Sequence, residues 1–201
     1  MNLEQLIDYL SNDAEFQQNI RKWLVLDAQP EKAVDFPENL HPRLKEALKQ
    51  KGIKQLYTHQ LQTYEQVRAG KDVVVVTPTA SGKTLSYNLP VFEELLENPE
   101  SRAIYLFPTK ALSQDQVKEA QDLVDLVGAK IKTYTFDGDT PRDIRRTIRS
   151  AGHIVVTNPD MLHQGILPHH TLWIKLFENL RYIIIDEVHS YRGVFCLLYT
   201  S

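Results

Sequence analysis

The sequence predicts an α/β domain with a mostly parallel sheet and helices on both faces. Two observations carry this prediction. Short runs of β-branched residues, such as those at residues 73–76 and 183–185, are typical of strands buried on both faces of a parallel sheet. Between such runs lie helical patterns with capping and stop residues, and regular alternation of strands and helices favours a parallel sheet.

Bulk properties limit the class of protein. The chain has 201 residues, enough for one α/β domain plus an extension, and 42% of them are hydrophobic. The single cysteine excludes a disulfide framework, and no apolar stretch is long enough to span a membrane. We therefore expect a soluble, cytoplasmic chain. With a net charge of −3, a nucleic-acid partner would be bound by local basic patches.

The first quarter of the chain predicts a helical extension. Apolar residues recur with helical spacing over residues 3–24, and residues 29–39 contain two prolines, which predicts a linker. A further helix should begin with Pro42 in its first turn and end at Gly52. We place the extension at residues 1–52 and expect it to pack on the main domain.

The remaining elements follow from strand patterns, caps and stop residues. In chain order they are a helix capped by Thr58 and running to Gly70, a strand at 73–76, a helix from Lys83-Thr84 to Asn98, a strand at 103–107, a helix ending at Gly128, a strand at 131–136, a helix capped by Thr140 with Pro141 in its first turn, a strand at 153–157, an amphipathic segment at 171–180 and a strand at 183–185.

A phosphate-binding loop is predicted between the strand at 73–76 and the helix that follows. Residues 77–84 read T-P-T-A-S-G-K-T. A small-residue loop with Gly-Lys-Thr at a helix start offers backbone N–H groups and a positive dipole end to phosphate. Lys83 would reach the β- and γ-phosphates and Thr84 would bind Mg²⁺. The general pattern has glycine where this chain has Thr77.

An acidic pair follows the last predicted strand. Asp186 and Glu187 come directly after residues 183–185, at the strand end where open α/β sheets bind ligands. Asp186 would hold Mg²⁺ through water, and Glu187 would orient and deprotonate the attacking water. A solvated acidic pair is the alternative, which the phosphate loop on the same chain disfavours.

These two segments resemble the DEAD/DEAH-box helicases of superfamily 2. Residues 186–189 (D-E-V-H) resemble motif II of that family, and residues 77–84 resemble motif I. Thr77 and Ala80 depart from the family pattern. Ala80 adds a Cβ where the backbone approaches phosphate.

The resemblance implies ATP and Mg²⁺ as cofactors and assigns residues to them. Gln60 resembles the glutamine of the Q motif, and an amide can both donate to and accept from the adenine edge. The implied catalytic residues are Lys83, Asp186 and Glu187. The implied cofactor-binding residues are Tyr57, Gln60, Thr79, Ala80, Ser81, Gly82, Lys83 and Thr84, with Thr84 and Asp186 holding the metal.

Two turns resemble the strand-binding motifs of the family. Residues 108–112 (P-T-K-A-L) resemble motif Ia, and residues 158–162 (N-P-D-M-L), after the strand that ends at Thr157, resemble motif Ib. Arg142 belongs to a cluster of arginines at 142–149, which either contacts the nucleic-acid backbone or forms a solvated helix face. The implied nucleic-acid residues are Pro108, Thr109, Lys110, Arg142, Thr157, Asn158 and Asp160.

A narrower resemblance covers about residues 35–195. The combined motifs, including F-D-G-D-T-P, are similar to the bacterial mitomycin-repair helicases and their eukaryotic RecQ-like repair relatives. Residues 53–195 would then form the first RecA-like domain of an ATP-dependent DNA helicase, with His189 linking the nucleotide to the DNA side. Residues 196–201 depart from the family and are predicted to be a non-native tail.

The resemblance also implies domains and partners beyond this chain. The family has a second RecA-like domain with an arginine finger, and a zinc-binding domain. Single-stranded or partly duplex DNA is the expected partner, RNA is less favoured, no membrane is expected, and a repair nuclease is a further candidate. The alternatives are a DEAD-box RNA helicase domain, or an ATP- and strand-binding module without turnover.

Overall fold

The computed structural model describes residues 3–19, 33–77 and 81–191. The chain divides into two compact units, residues 1–31 and 32–201.

Two short helices form the described part of the first unit. They are α1 (Leu3–Asn12) and α2 (Ala14–Asn19), which confirm the predicted helical extension. Asp13 begins α2 because its Oδ1 accepts the N–H of Phe16 over 2.8 Å. The helical pattern predicted at residues 20–24 lies outside the described residues. Packing of this extension on the main domain stays a prediction.

The described part of the second unit contains two sheets. The strands, in chain order, are β1 (Ala33–Val34), β2 (Leu56–Tyr57), β3 (Arg102–Leu106), β4 (Thr133–Thr135), β5 (Ile154–Thr157) and β6 (Leu180–Ile185). The last four strands form one parallel sheet. The sheet has the order β4-β5-β3-β6 with all neighbours parallel, which confirms the predicted fold class. β1 and β2 pair antiparallel, so a linker prediction for residues 33–34 is wrong; residues 29–32 lie outside the described chain.

Helices connect these strands. They are α3 (Pro42–Gln50), α4 (Thr58–Arg68), α5 (Lys83–Glu97), α6 (Lys110–Val127), α7 (Arg142–Ala151), α8 (Pro159–Met161) and α9 (Ile174–Glu178). A π-helical turn (Leu162–Ile166) and two 3₁₀ segments (Leu167–Trp173 and Val188–Tyr191) join them. As predicted, α3 begins with Pro42, α5 ends before Asn98, and α6 ends at Gly128, whose φ is +63°.

Two predicted helix caps are displaced by one residue. Thr58 is the first residue of α4 rather than its cap, because the Tyr57 N–H already donates to Oε1 of Gln60 over 2.8 Å. Thr140 closes the preceding turn instead of capping α7, since its Oγ1 accepts the Asp137 N–H over 2.9 Å. The first of these bonds comes from Gln60 within α4 itself, and the second closes the turn before α7.

Alternate residues of the central strands enter two separate cores. In β3 and just after it, Ala103, Tyr105 and Phe107 face a core built with α3 to α6. Ile104 and Leu106 face the opposite core, which includes residues of α7, α9 and the 3₁₀ segment before α9. This alternation is expected for a strand. It places helices on both faces of the sheet, as predicted.

Two burial predictions are wrong. Residues 73–76 form no strand, and Val74 and Val76 are each 89% exposed. β6 confirms the predicted strand at 183–185, but Ile183 and Ile185 are 56% and 50% exposed. The reason is that, within the described residues, no strand pairs with 73–76 and β6 pairs only with β3. Burial of a parallel strand requires neighbours at both edges and on both faces.

Candidate nucleotide and nucleic-acid site

Three segments that carry predicted site residues follow strands of one parallel sheet. Lys110 follows β3, Asn158 follows β5 and Asp186 follows β6. Because the strands are parallel, these turns lie at the same edge of the sheet. The carboxyl edge of an open parallel sheet is where such folds bind ligands.

Gly82, the residue before α5, has a conformation that favours glycine. Its φ is +73°, in the left-handed region. A Cβ at this position would lie 2.7 Å from Nε2 of Gln60, so the site also lacks room for a side chain. The loop therefore approaches Gln60 closely just where the helix N-terminus presents its N–H groups.

Lys83 lies across the phosphate loop. Its Nζ donates to the carbonyl oxygen of Thr77 over 3.1 Å, and the Thr77 and Ser81 hydroxyls are hydrogen-bonded over 2.6 Å. These contacts join the two described ends of the loop. The ammonium can exchange a neutral carbonyl for a charged phosphate oxygen, which is the stronger acceptor. Thr79 and Ala80 lie outside the described residues.

Gln60 is a buried amide bound to the loop. It is 3% exposed; its Nε2 donates to the carbonyl oxygen of Gly82 over 2.9 Å, and its Oε1 accepts the Tyr57 N–H. An amide has two N–H donors and two lone pairs, so one of each remains. The Tyr57 ring stacks beside His59 with centroids 5.7 Å apart.

The acidic pair lies just beyond β6. The Asp186 N–H donates to Leu106 O over 3.1 Å, which extends the β3–β6 pairing by one residue. Glu187 has a φ of +51° and donates its N–H to Oδ1 of Asp186 over 2.8 Å. Strand alternation ends here, so the two carboxylates are directed by a turn rather than by a strand.

His189 lies against the acidic pair. Its Nδ1 is 3.3 Å from Oε2 of Glu187, and its side chain is 76% exposed. Ser190 supports the same turn by donating its N–H and its hydroxyl to the carbonyl oxygen of Glu187 over 2.8 and 2.7 Å. The predicted linking residue thus contacts the predicted catalytic carboxylate.

Tyr87 is a site residue that sequence reasoning missed. Its hydroxyl donates to Oε1 of Gln116 in α6 over 2.9 Å. Burial raises the pKa of the Tyr87 phenol; a hydrogen bond with Thr84 lowers it, and the charge of Asp186 raises it. The phenol is therefore a neighbour of both predicted metal-binding residues. Its position three residues after Thr84, on the same helix face, was the available signal.

The oxygen atoms present fit a magnesium nucleotide. Mg²⁺ usually binds one or two protein oxygens together with substrate phosphates and water. The Thr84 hydroxyl, in the first turn of α5, and the Asp186 carboxylate, just after β6, can supply such oxygens. Among the described residues, no group of three or more His, Cys, Asp or Glu side chains could hold a metal without a nucleotide.

The predicted strand-binding residues differ in their accessibility. Thr109 caps α6, because its Oγ1 accepts the Leu112 N–H over 3.3 Å, and it is exposed. Thr157 is 2% exposed and donates its hydroxyl to Phe136 O over 2.7 Å, so its side chain belongs to the sheet. Asn158 caps α8 by accepting the Met161 N–H over 2.8 Å.

The other predicted strand-binding residues are more accessible. Lys110, Arg142 and Asp160 are exposed, and Pro108 is half-buried.

The arginine cluster of α7 divides into two kinds of residue. Arg145 supports a turn: it donates to Thr140 O over 2.7 Å, to Gly138 O over 3.1 Å and to Asp137 O over 3.2 Å. Its guanidinium also lies 5.3 Å from the centre of the Phe136 ring. Arg142 and Arg146 are exposed and remain available to an anionic partner.

The fold and the site together define an α/β domain with a phosphate loop before α5 and an acidic pair just after β6. The family model of the DEAD/DEAH box helicases matches residues 57–196. The chain belongs to the DEAD/DEAH box helicase family.

Several known proteins are similar to this chain. It is 52% identical over 186 residues to the ATP-dependent helicase YprA of Bacillus subtilis, covering 92% of this chain and 25% of that protein. It is 42% identical over 147 residues to the ATP-dependent helicase hrq1 of Schizosaccharomyces pombe, covering 72% and 14% of the two chains. The chain thus spans about a quarter or less of these relatives.

Solved structures agree with this assignment. The crystal structure of the DUF1998 helicase MrfA bound to DNA and AMPPNP has 50% identity and a TM-score of 0.88, covering 98% of this chain and 27% of that one. Helicase Lhr of Mycobacterium smegmatis, at 21% identity and a TM-score of 0.65, shares the fold and covers 76% and 21% of the two chains. The similarities to hrq1 and MrfA confirm the narrower resemblance. Within the described residues, no helix is long and apolar enough to cross a membrane.

Proposed function

We propose that this chain is the ATP-binding first motor domain of an ATP-dependent DNA helicase that acts in DNA repair. The observation that carries the proposal is the phosphate loop of a DEAD/DEAH box family member, in which Lys83 contacts Thr77 and Gln60 contacts Gly82. Residues 53–195 would form the RecA-like domain. The intact protein would hydrolyse ATP.

The proposed roles follow from the chemistry of the side chains. Lys83 and the helix N-terminus bind phosphate, and Thr84 and Asp186 hold Mg²⁺, which neutralises phosphate charge when bound. Glu187 orients the attacking water and accepts its proton. His189, in contact with Glu187, links this site to the DNA side.

Nucleotide binding is tested by Lys83→Ala. The chain should bind MgATP and MgADP weakly, and the variant should lose this binding because the phosphate charge loses its ammonium partner. Isothermal titration calorimetry measures both affinities. Lys54→Ala removes the same charge from an exposed position and should bind like the wild type. Equal affinity of wild type and Lys83→Ala would overturn the nucleotide site.

Adenine recognition is tested by Gln60→Ala. One N–H and one lone pair of the Gln60 amide remain for a base edge, so the variant should lose more affinity for ATP than for GTP. Gln62→Ala, an exposed glutamine of the same helix, is the matched control. An unchanged ATP-to-GTP affinity ratio in Gln60→Ala would remove Gln60 from base recognition.

The proposed strand-binding surface consists of Pro108, Thr109, Lys110, Asn158, Asp160 and Arg142. Support for DNA as the partner comes from MrfA, which is described as bound to DNA. Affinity for single-stranded DNA should be weak and should fall steeply with salt, because contacts to phosphate release counterions. Fluorescence anisotropy over a salt series measures this. Tight, salt-independent binding would contradict it. The repair nuclease stays a prediction.

A further inference from the structure

An ion pair connects two turns at the carboxyl edge of the sheet. Nζ of Lys110, after β3, contacts Oδ2 of Asp139, after β4. β5 lies between these two strands, so the pair reaches across the end of β5, where Asn158 and Asp160 begin the next turn. The ion pair therefore lies within the proposed strand-binding surface.

We infer that Asp139 occupies the place on Lys110 that a backbone phosphate takes when a nucleic-acid strand binds, and thereby sets the strength and the salt dependence of strand binding. This inference rests on the proposed function. Asp139 acts through Lys110 and is a positioning residue.

The turn that carries Asp139 is held firmly. Oδ1 of Asp137 accepts the Asp139 N–H and the Thr140 hydroxyl, each over 3.0 Å. From the other side, Arg145 donates to the carbonyl oxygens of Asp137, Gly138 and Thr140. Among the described contacts, the Asp139 side chain itself bonds only to Lys110. Exchange of partners therefore requires movement of the flexible lysine and not of the turn.

The pair is accessible enough to exchange. The Lys110 and Asp139 side chains are 55% and 81% exposed, so water and salt screen their attraction. The hydrogen bond from Lys110 lowers the pKa of Asp139, and the same bond raises the pKa of Lys110, so both groups are charged at neutral pH. A phosphate can replace the carboxylate because both are anionic oxygen acceptors.

Salt dependence distinguishes a masked lysine from a free one. A lysine that neutralises one phosphate of a single strand adds about 0.7 to the slope of log K against log salt. In the wild type, release of Asp139 creates a new unpaired charge that offsets part of this effect. Removal of the carboxylate should therefore steepen the slope as well as tighten binding.

The experiment compares Asp139→Asn with Asp143→Asn on the full 201-residue chain. Asp143 is exposed on α7 and forms no ion pair with the described residues, so it controls for the loss of one negative charge nearby. Anisotropy with a labelled oligothymidylate is measured from about 50 to 200 mM salt. Asp139→Asn should bind about two- to fivefold tighter at low salt, the range of an exposed ion pair. Its slope should be steeper by up to about 0.7, with Asp143→Asn near the wild type.

A double-mutant cycle assigns the effect to Lys110. Lys110→Ala should weaken binding more in the Asp139→Asn background than in the wild type, so that the gain from Asp139→Asn disappears. A gain that persists without Lys110, or an equal gain in Asp143→Asn, overturns the inference and leaves DNA binding intact. Absence of binding by every variant overturns both the inference and the proposed DNA binding.

Discussion

At the scale of single residues, the buried Tyr105 side chain is hydrogen-bonded close to the site. Its hydroxyl donates to Oδ1 of Asn88 over 2.8 Å, and Tyr105 and Asn88 are 1% and 3% exposed. Its ring also lies edge-on to Tyr87, with centroids 5.5 Å apart. The bond therefore joins β3 to α5, the helix that begins with Lys83. A single hydroxyl helps to locate the phosphate loop relative to the sheet.

We expect Tyr105→Phe to destabilise the chain by about 1–3 kcal/mol, because the buried Asn88 oxygen loses its donor while the ring is kept. Urea unfolding followed by circular dichroism measures the change. Tyr9→Phe, at a 61% exposed tyrosine, should be neutral. A Tyr105→Phe variant as stable as the wild type would show that the Asn88 oxygen finds another donor.

At the scale of elements, the sheet is stabilised by bonds between strand ends. The Lys132 N–H, before β4, donates to Nδ1 of His153, before β5, over 3.1 Å. Burial lowers the pKa of His153, and the charge of Arg102 lowers it further. Nδ1 of His153 can accept this hydrogen bond only when the imidazole ring is neutral. The start of the β4–β5 pair is therefore sensitive to protonation.

We expect the melting temperature to decrease as the pH falls below about 6.5, the pKa of an unperturbed histidine. Because the folded pKa is lowered, the contribution of His153 is fully present above the unfolded pKa and is lost as the pH falls through the folded value. His153→Asn keeps an acceptor without titrating and should flatten the dependence between about pH 5 and 8. Differential scanning calorimetry measures it, and His163→Asn, at an exposed histidine, should leave it unchanged. Equal slopes for wild type and His153→Asn would contradict the assignment.

We expect copies of this chain to associate through β6. Ile183 and Ile185 are half exposed on a strand that pairs on one side only among the described residues, and such edges favour association with other chains. Ile183→Thr keeps a β-branched residue and should lower light scattering on warming. Ile144→Thr, at a 40% exposed isoleucine on α7, controls for hydrophobicity alone. Equal scattering of Ile183→Thr and wild type would dismiss β6 as the associating surface.

At the scale of the whole molecule, the chain matches only part of the length of its relatives. It spans 25% of YprA and 27% of MrfA. The resemblance implies that an arginine contacting the transferred phosphate comes from a second motor domain. Such an arginine typically contributes about 10³–10⁵ in rate. We therefore expect this chain to bind nucleotide without appreciable ATP hydrolysis.

We expect the 201-residue chain to bind nucleotide weakly, with ATP turnover near background, no stimulation by DNA and no strand separation. A phosphate-release assay measures turnover, with Glu187→Gln as the control for contaminating activity. Fusion to the remaining domains of a full-length relative should restore both activities. DNA-stimulated turnover by the chain alone, lost in Glu187→Gln, would refute this account and favour a complete enzyme over a binding module.

Much of the fold and site could be predicted because local sequence carries local geometry. Gly82-Lys83-Thr84 signalled a tight turn into a helix, and Asp186-Glu187 signalled a strand end, since each depends on residues a few positions apart. The structure has the helix start at Lys83 and the strand end just before Asp186. Helix ends at Asn98 and Gly128 were equally readable, because they depend on adjacent backbone conformations.

Only the tertiary structure decided which distant residues meet. Exposure of residues 73–76 depends on whether a strand lies beside them, which their own β-branched side chains cannot determine. Likewise, Arg145 supports a turn, Thr157 is buried, and Lys110 meets Asp139, 29 residues away, although each could be read as part of a strand-binding surface. The physical reason is that backbone conformation is set by near neighbours, whereas burial and charge pairing depend on segments that folding brings together.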